Sequence, residues 1–372
     1  GLVAYPIFFF CDEAIQTNLA DSLLHHGLTD ENGVFLPPFF RNVDKWNLSL
    51  SVYMQGIGLM LFGKSVFVNR ATSVVVSMLG VIAVALTLRL IFRARLWWAG
   101  ALAMSALPVW FLHSRTSFET VMMVSFFACF LCSYLMYRYY DRRYLVAAIA
   151  CGAATFYSYS NGQGVMLVST VLLVLSDARY HLETLAGLHR RPRLLAALVA
   201  ITILAIGPYL RQRALYPFST SDHLIAMNSI VTRNIPLGEK LGLFWKEYLT
   251  GLSPLYWFAP DNGIDLERHT MKGWGNLPRV FFPFVLVGLW TCVRQWRSPA
   301  HRAVLIAILA APFAAALVFI HNYRALAMVV PAAILTGLGI ERIGAWLAGF
   351  VRAVPVALAT AVLLVAMNGV LL

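Results

Sequence analysis

The chain has 372 residues, of which 60% are hydrophobic and 12% charged, with a formal net charge of +12 and a mean hydropathy of +0.71. Soluble domains carry about 25% charged residues, so this composition excludes an ordinary soluble core and predicts a protein embedded in the lipid bilayer. The basic excess does not predict a nucleic-acid partner, because the Lys and Arg residues fall in short clusters between apolar runs and act as topology signals.

Residues 1–11 are an apolar stretch too short to span, read as the outer end of a first helix. They lack the basic start and small-residue cleavage site of a signal peptide. A polar loop at 12–47 contains an amphipathic stretch, 13–26, with Ile15, Leu19, Leu23 and Leu24 at helical spacing. It predicts a helix in the membrane interface that stops at Gly27. Residues 48–62 are apolar but short, either a second interfacial helix or part of a span. Spans are expected at 71–92, 97–112, 120–139, 145–158, 164–175 and 194–210. A second polar segment, 211–279, precedes spans at 280–293, 303–320, 326–346 and 356–372. Both ends read as cuts through apolar runs. The expectation is an all-α, polytopic transmembrane bundle of about eleven crossings. It has an N-terminal catalytic module (1–210), an outer polar segment (211–279) and C-terminal transmembrane helices (280–372).

Orientation follows from charge. With Asp12 outside, alternation places Arg93, Arg95, Arg138, Arg142, Arg143, Arg179, Arg190, Arg191, Arg193, Arg294, Arg297, Arg302, Arg342 and Arg352 inside. The short loops on one side are then consistently basic, as the positive-inside rule requires. The outer side holds the loops 12–47, 113–119, 159–163, 211–279 and 321–324, and most of the acids. The cysteines lie in or beside apolar runs and predict neither a disulfide framework nor a zinc site.

Several polar groups on that outer side could carry chemistry. Asp12 and Glu13 follow an apolar run, where one carboxylate can act as a general base; they are equally compatible with two solvated acids at a helix end. Glu119 enters a span and calls for a partner, with Arg115 at hand; a structural ion pair is the plainer alternative. Lys45, beside Trp46, can meet a phosphate or simply snorkel to the interface. His321, Tyr323 and Arg324 form an outer turn whose arginine can grip a phosphate or anchor the span. Arg268 and His269 have the same character. No glycine-rich phosphate loop is visible, which argues against a soluble nucleotide donor.

The order of these elements carries a resemblance. An apolar helix leads to Asp12-Glu13-Ala14, an amphipathic helix, a lysine before an apolar helix, and Leu61-Phe62-Gly63-Lys64-Ser65 running to Asn69-Arg70. Then come Ser114-Arg115-Thr116-Ser117-Phe118-Glu119, Tyr157-Ser158-Tyr159, Leu252-Ser253-Pro254, Arg268-His269, Gly275, and Tyr323-Arg324 with Pro331. This set resembles the family 39 glycosyltransferases of the GT-C fold, which include the protein O-mannosyltransferases and the aminoarabinose transferases of lipid A. Where the family often has Lys-Pro-Pro, this chain has Lys45-Trp46-Asn47. The resemblance implies an enzyme of the cell envelope in a bacterial inner membrane, with its site on the periplasmic side. It would move a sugar from a polyprenyl-phosphate donor to a hydroxyl or phosphate of a lipid, glycan or protein acceptor, with inversion. The Asp12/Glu13 pair would supply the base, Asp12 being preferred, and Glu119 would orient a basic group or the acceptor. Lys45, Arg115 and Arg324 would neutralise the leaving phosphate, and His269 would close the site. No cofactor is demanded; a divalent cation is left open, with no residue assigned to it. A transporter or flippase is the main alternative, although it would more often place its charges at the bilayer midplane. A different GT-C enzyme, such as an oligosaccharide transferase or lipid-glycan polymerase, is the other.

Overall fold

The computed structural model describes residues 2–4, 7–347 and 353–371. Helix α1 (Cys11–His25) is followed by a two-stranded antiparallel hairpin, β1 (Phe39–Asn42) and β2 (Lys45–Leu48). The chain then continues through α2 (Ser49–Phe62), α3 (Val66–Leu86), α4 (Trp97–Ser105), α5 (Pro108–His113), α6 (Glu119–Tyr139), α7 (Tyr144–Ser158), α8 (Ser160–Ser176), α9 (Ala178–Ala186) and α10 (Pro192–Leu215). The long polar segment folds into α11 (Ser219–Ala226), α12 (Leu237–Leu252) and α13 (Pro254–Phe258). The chain closes with α14 (Phe282–Arg294), α15 (Pro299–Ala310), α16 (Phe313–Ala316), α17 (Val329–Leu347) and α18 (Ala353–Leu371).

The protein is a helical membrane protein. Among the described residues, five segments are long and apolar enough to cross a bilayer: Val66–Ile91, Glu119–Tyr139, Pro192–Leu215, Pro299–Ala316 and Leu326–Leu347. A sixth is reached if α8 and the helices after it, bent by 80°, count as one span. The expected spans coincide with helices, but several are short. The run at 97–112 breaks at Leu107-Pro108 into α4 and α5, because proline cannot continue the hydrogen-bond ladder. The stretch at 1–11 was expected to end a helix; residues 2–4 and 7–10 are not helical, and the helix starts at Cys11. Residues 1, 5 and 6, and Arg352 among the expected inside arginines, lie outside the described residues.

α6 and α17 form the centre, and their apolar side chains are buried almost all round. α14 meets α17 backbone to backbone. A Cβ at Gly288 would lie 2.1 Å from the Leu335 carbonyl, and one at Gly339 2.0 Å from that of Phe284; small residues permit this approach. α6 runs from one pole to the other, a rise of about 30 Å at about 1.5 Å per residue. At its Arg138 end the loops expected inside touch one another. Arg138 and Arg302 both bond Asp177, Leu96 N–H donates to Glu341 at 2.8 Å, and Tyr140 donates to the Leu90 carbonyl at 2.9 Å. At the Glu119 end lie α1, the hairpin, α11 and the 265–276 loop.

Helix α1 differs from the expected interfacial helix. Its buried positions, Glu13, Gln16, Thr17, Ala20 and Leu23, lie at helical spacing and are mostly polar. They pack inward, so the buried face was set by hydrogen-bond partners rather than by the leucines. Gly27 does end the helix, with φ +63° in the left-handed region that glycine tolerates.

Candidate functional site

The Glu119 pole contains a polar cavity of about 180 Å³. Five separate parts of the chain build it. The first turn of α1 brings Asp12, β2 brings Lys45, the start of α6 brings Glu119, and two loops bring Arg268, His269, Tyr323 and Arg324. Sequence separations of up to about 300 residues thus close into one hollow.

Each group is held locally. The Asp12 carboxylate is 38% exposed and lies 3.8 Å from the Arg268 guanidinium. Glu119 accepts a hydrogen bond from Gln16 Nε2 at 3.0 Å, and Ser51 Oγ donates to Gln16 Oε1 at 3.2 Å. The amide therefore fixes the carboxylate from α1 and α2 together. Lys45 is exposed at the hairpin turn. Arg324 donates to the Phe319 carbonyl at 3.2 Å, and its own carbonyl accepts from Asn161 at 3.0 Å. The Asp265 carboxylate, on a fully buried side chain, is a hub. It accepts from Tyr256 and from the Asn322 backbone N–H at 2.7 Å each, from Asn262 at 2.8 Å and from Asn276 at 2.9 Å. Asn322 in turn donates to the His269 carbonyl at 2.7 Å. This network locks the Arg268-His269 loop against the Tyr323-Arg324 turn.

Three predicted residues stand apart from the cavity. Glu13 is fully buried and holds Arg70 through two bonds of 2.6 and 2.9 Å, while the Ser117 backbone N–H donates to it at 2.8 Å. It ties α1, α3 and the turn before α6 together, which leaves Asp12 as the carboxylate of the pair that lines the cavity. Arg115 stacks on the Phe111 ring, 3.6 Å from its centroid, and donates to the Phe111 carbonyl at 3.0 Å. His321 stacks on Tyr323, with ring centroids 5.5 Å apart, and lies 4.0 Å from Asp265.

Sequence reasoning missed other lining groups: Asn42, Trp46, Asn47, Tyr159 and His223. His223 Nδ1 accepts from the Trp46 backbone N–H at 3.3 Å, joining α11 to the hairpin. Burial, with Lys45 and Arg324 nearby, pushes His223 down to about 4. Burial, then His113, Arg268 and His321, push His269 down to about 2. His269 stacks between His113 and Tyr323 at 5.3 and 4.5 Å. Its Nε2 accepts from Arg268 at 3.2 Å, so the ring proton sits on Nδ1.

These two imidazoles make a pH prediction. Their folded values lie below the ordinary 6.5, so the unfolded chain takes up protons first as pH falls. Stability is then level above about pH 6.5 and drops from there towards pH 4 and below. Thermal unfolding of the detergent-solubilised protein should show this slope, and His223→Gln should shallow it between pH 6.5 and 4. A wild-type unfolding temperature that stays level from pH 7 to 4 would contradict the neutral assignments.

Among the described residues, no cluster of three or more His, Cys, Asp or Glu side chains could hold a metal ion. Asp12 and Glu119 are the carboxylates that line the cavity.

No protein-family model and no curated protein matches the chain. Solved structures do match it. Over 96% of its length the chain is similar to ArnT from Cupriavidus metallidurans bound to undecaprenyl phosphate, with a TM-score of 0.63, 17% identity and 67% of that protein covered. The apo state of ArnT gives a TM-score of 0.62 at the same identity, with 66% of it covered. The archaeal oligosaccharyltransferase AglB from Archaeoglobus fulgidus, in complex with an inhibitory peptide and a dolichol-phosphate, matches 97% of the chain. There the TM-score is 0.55 at 13% identity, and 51% of AglB is covered. The chain thus spans about two thirds of the length of ArnT and about half that of AglB. The architecture built above, helical bundle and polar pole together, is the GT-C fold that these glycosyltransferases share.

Proposed function

We propose that the chain is a membrane glycosyltransferase that moves one sugar from a polyprenyl-phosphate donor to an acceptor hydroxyl or phosphate, with inversion. One observation carries the reading: Asp12, Glu119, Lys45, Arg268 and Arg324 line a single cavity at one pole of a GT-C fold. The ligands of the structural neighbours, undecaprenyl phosphate and dolichol-phosphate, support a lipid-linked donor. The charges sit at one pole rather than at mid-depth, which favours an enzyme over a transporter.

In the reaction, an acceptor oxygen attacks the anomeric carbon while the bond from that carbon to the phosphate oxygen breaks. Asp12 takes the acceptor proton, and Glu119, held by Gln16, orients the acceptor. Lys45 and Arg324 meet the negative charge that grows on the departing polyprenyl phosphate. Arg268 holds Asp12, and Tyr323 and His269 wall the sugar.

The finer topology belongs to the same proposal: about eleven crossings, the three-part division at 210 and 279, and a bacterial inner membrane with the cavity facing the periplasm. The contacts among loops expected inside, at the pole opposite the cavity, support that sidedness. Purified protein should release polyprenyl phosphate and form a new glycoside from a polyprenyl-phosphate sugar. Counterflow of solute into liposomes with no transfer in a donor screen would reject the enzyme.

Lys45→Met and Arg324→Met test the phosphate contacts. A hydrogen bond to a charged group is worth about 1.5–3 kcal/mol, so each variant should weaken donor use by about 10- to 100-fold in kcat/KM. Unchanged kcat/KM for both would place the phosphate elsewhere.

A further inference from the structure

Two sets of arginines stand out at the pole opposite the cavity. Arg138 and Arg302 are neutralised by the buried Asp177, and Arg179 pairs with Glu183 at 3.0 Å. Arg143, Arg191 and Arg193 have no side-chain partner among the described residues. All three are exposed. They come from two separate stretches of chain, the turn before α7 and the start of α10, yet they rim one cleft of about 830 Å³. Asp141 is the single acid in that rim, and its carboxylate accepts from the Arg143 backbone N–H at 2.7 Å. Three guanidinium charges therefore face one carboxylate that is already engaged in a turn.

Val146 on α7 and Leu194 and Ala197 on α10 line the apolar side of the same cleft. α10 is long and apolar enough to cross the bilayer, and only 6% of its apolar window is buried inside the protein, so its outer faces meet lipid tails. The two helices pack on each other through Leu194 and Leu198 against Leu145, Val146 and Ile149. A cationic rim that opens directly onto a greasy seam fits an amphiphile with a negative head and acyl tails. A free anion would use the rim and leave the seam unused.

We propose that the cleft between α7 and α10 is a binding site for the headgroup of an anionic phospholipid, with its tails along the apolar seam of Val146, Leu194 and Ala197. Arg143, Arg191 and Arg193 grip the phosphate oxygens, as guanidinium forks do. The site lies at the far end of α6 from the sugar-transfer cavity and stands whether or not that activity is established.

The test uses the full chain purified in mild detergent. Native mass spectrometry is run with phosphatidylglycerol, cardiolipin and phosphatidylcholine, and in parallel with excess inorganic phosphate. Retention of the two anionic lipids should exceed that of phosphatidylcholine by about 10- to 100-fold, given about a tenfold or smaller gain per arginine near a membrane surface. The triple variant Arg143→Gln, Arg191→Gln, Arg193→Gln should lower their retention to the phosphatidylcholine level. Arg179→Gln, whose arginine is already paired, should keep the preference and so controls for loss of charge alone. The proposal is overturned if the triple variant retains anionic lipid like wild type, or if millimolar inorganic phosphate displaces the lipid completely, which would mark a soluble-anion site. A triple variant that no longer runs as a single species on gel filtration is replaced by the three single variants, each expected to lower retention severalfold. Three singles at wild-type retention would also overturn it.

Discussion

Asp12→Asn should lower kcat for sugar transfer by about 10²- to 10⁴-fold, the range that a positioned general base supplies. Asparagine keeps the size of the side chain and can still accept from Arg268, but its amide cannot take the acceptor proton. The change should cost little stability. Asp12 is 38% exposed, and its ion contact with Arg268 is long at 3.8 Å, the kind of surface pair that contributes little to folding. Donor binding should therefore survive, and the loss should appear in kcat with the donor KM changed only a few-fold. Glu119→Gln is the instructive companion. The side chain can still bond Gln16, so its loss in kcat should be smaller than that of Asp12→Asn. If Asp12→Asn turns over at the wild-type rate while Glu119→Gln is inert, the two roles are exchanged. If both turn over normally, the base is neither of them.

The choice between Asp12 and Glu13 shows where sequence reasoning stops. Adjacent residues on a helix point about 100° apart, so a pair of acids presents one to the cavity and the other elsewhere, and nothing in the pair says which. The deciding residue is Arg70, 57 positions away. Its signal was present: an arginine inside the apolar helix α3 needs a buried acid. The charge pattern of the loops was enough to separate the two poles, because bilayer insertion acts on each short loop independently. The hairpin, the Asp265 hub and His223 were not legible. Each depends on pairings between distant polar residues, Trp46 with His223 or Asp265 with Asn322, that leave no periodicity in the chain. Gln16 was overlooked for a related reason. A glutamine on an amphipathic helix reads as its wet face, whereas here it is buried and supports Glu119.

The buried Glu13–Arg70 pair leads to the largest expected change in stability. Both side chains are fully buried. Arg70→Met strands a carboxylate that retains only the Ser117 donors, with bonds of 2.8 and 3.3 Å. Removing one partner of such a pair costs about 3–5 kcal/mol, because the remaining charge stays desolvated. The same loss is expected for Glu13→Met, which also strips the two carbonyls of residues 2 and 3 of a firmly held donor, Arg70 Nη1 at 2.7 and 3.4 Å. The double variant Glu13→Met, Arg70→Met leaves no uncompensated charge and should regain much of the stability lost by either single change. Unfolding in denaturing detergent, followed by helical circular dichroism, measures all four proteins. Activity separates this structural role from catalysis. The double variant should fold yet transfer sugar slowly, since α1 loses the anchor that aims Asp12, and the defect should fall on kcat more than on donor binding. Single variants as stable as wild type would remove the pair from the account of how α1 is held. A fully active double variant would show that Asp12 is aimed by other contacts, such as those of Gln16 with Glu119 and Ser51.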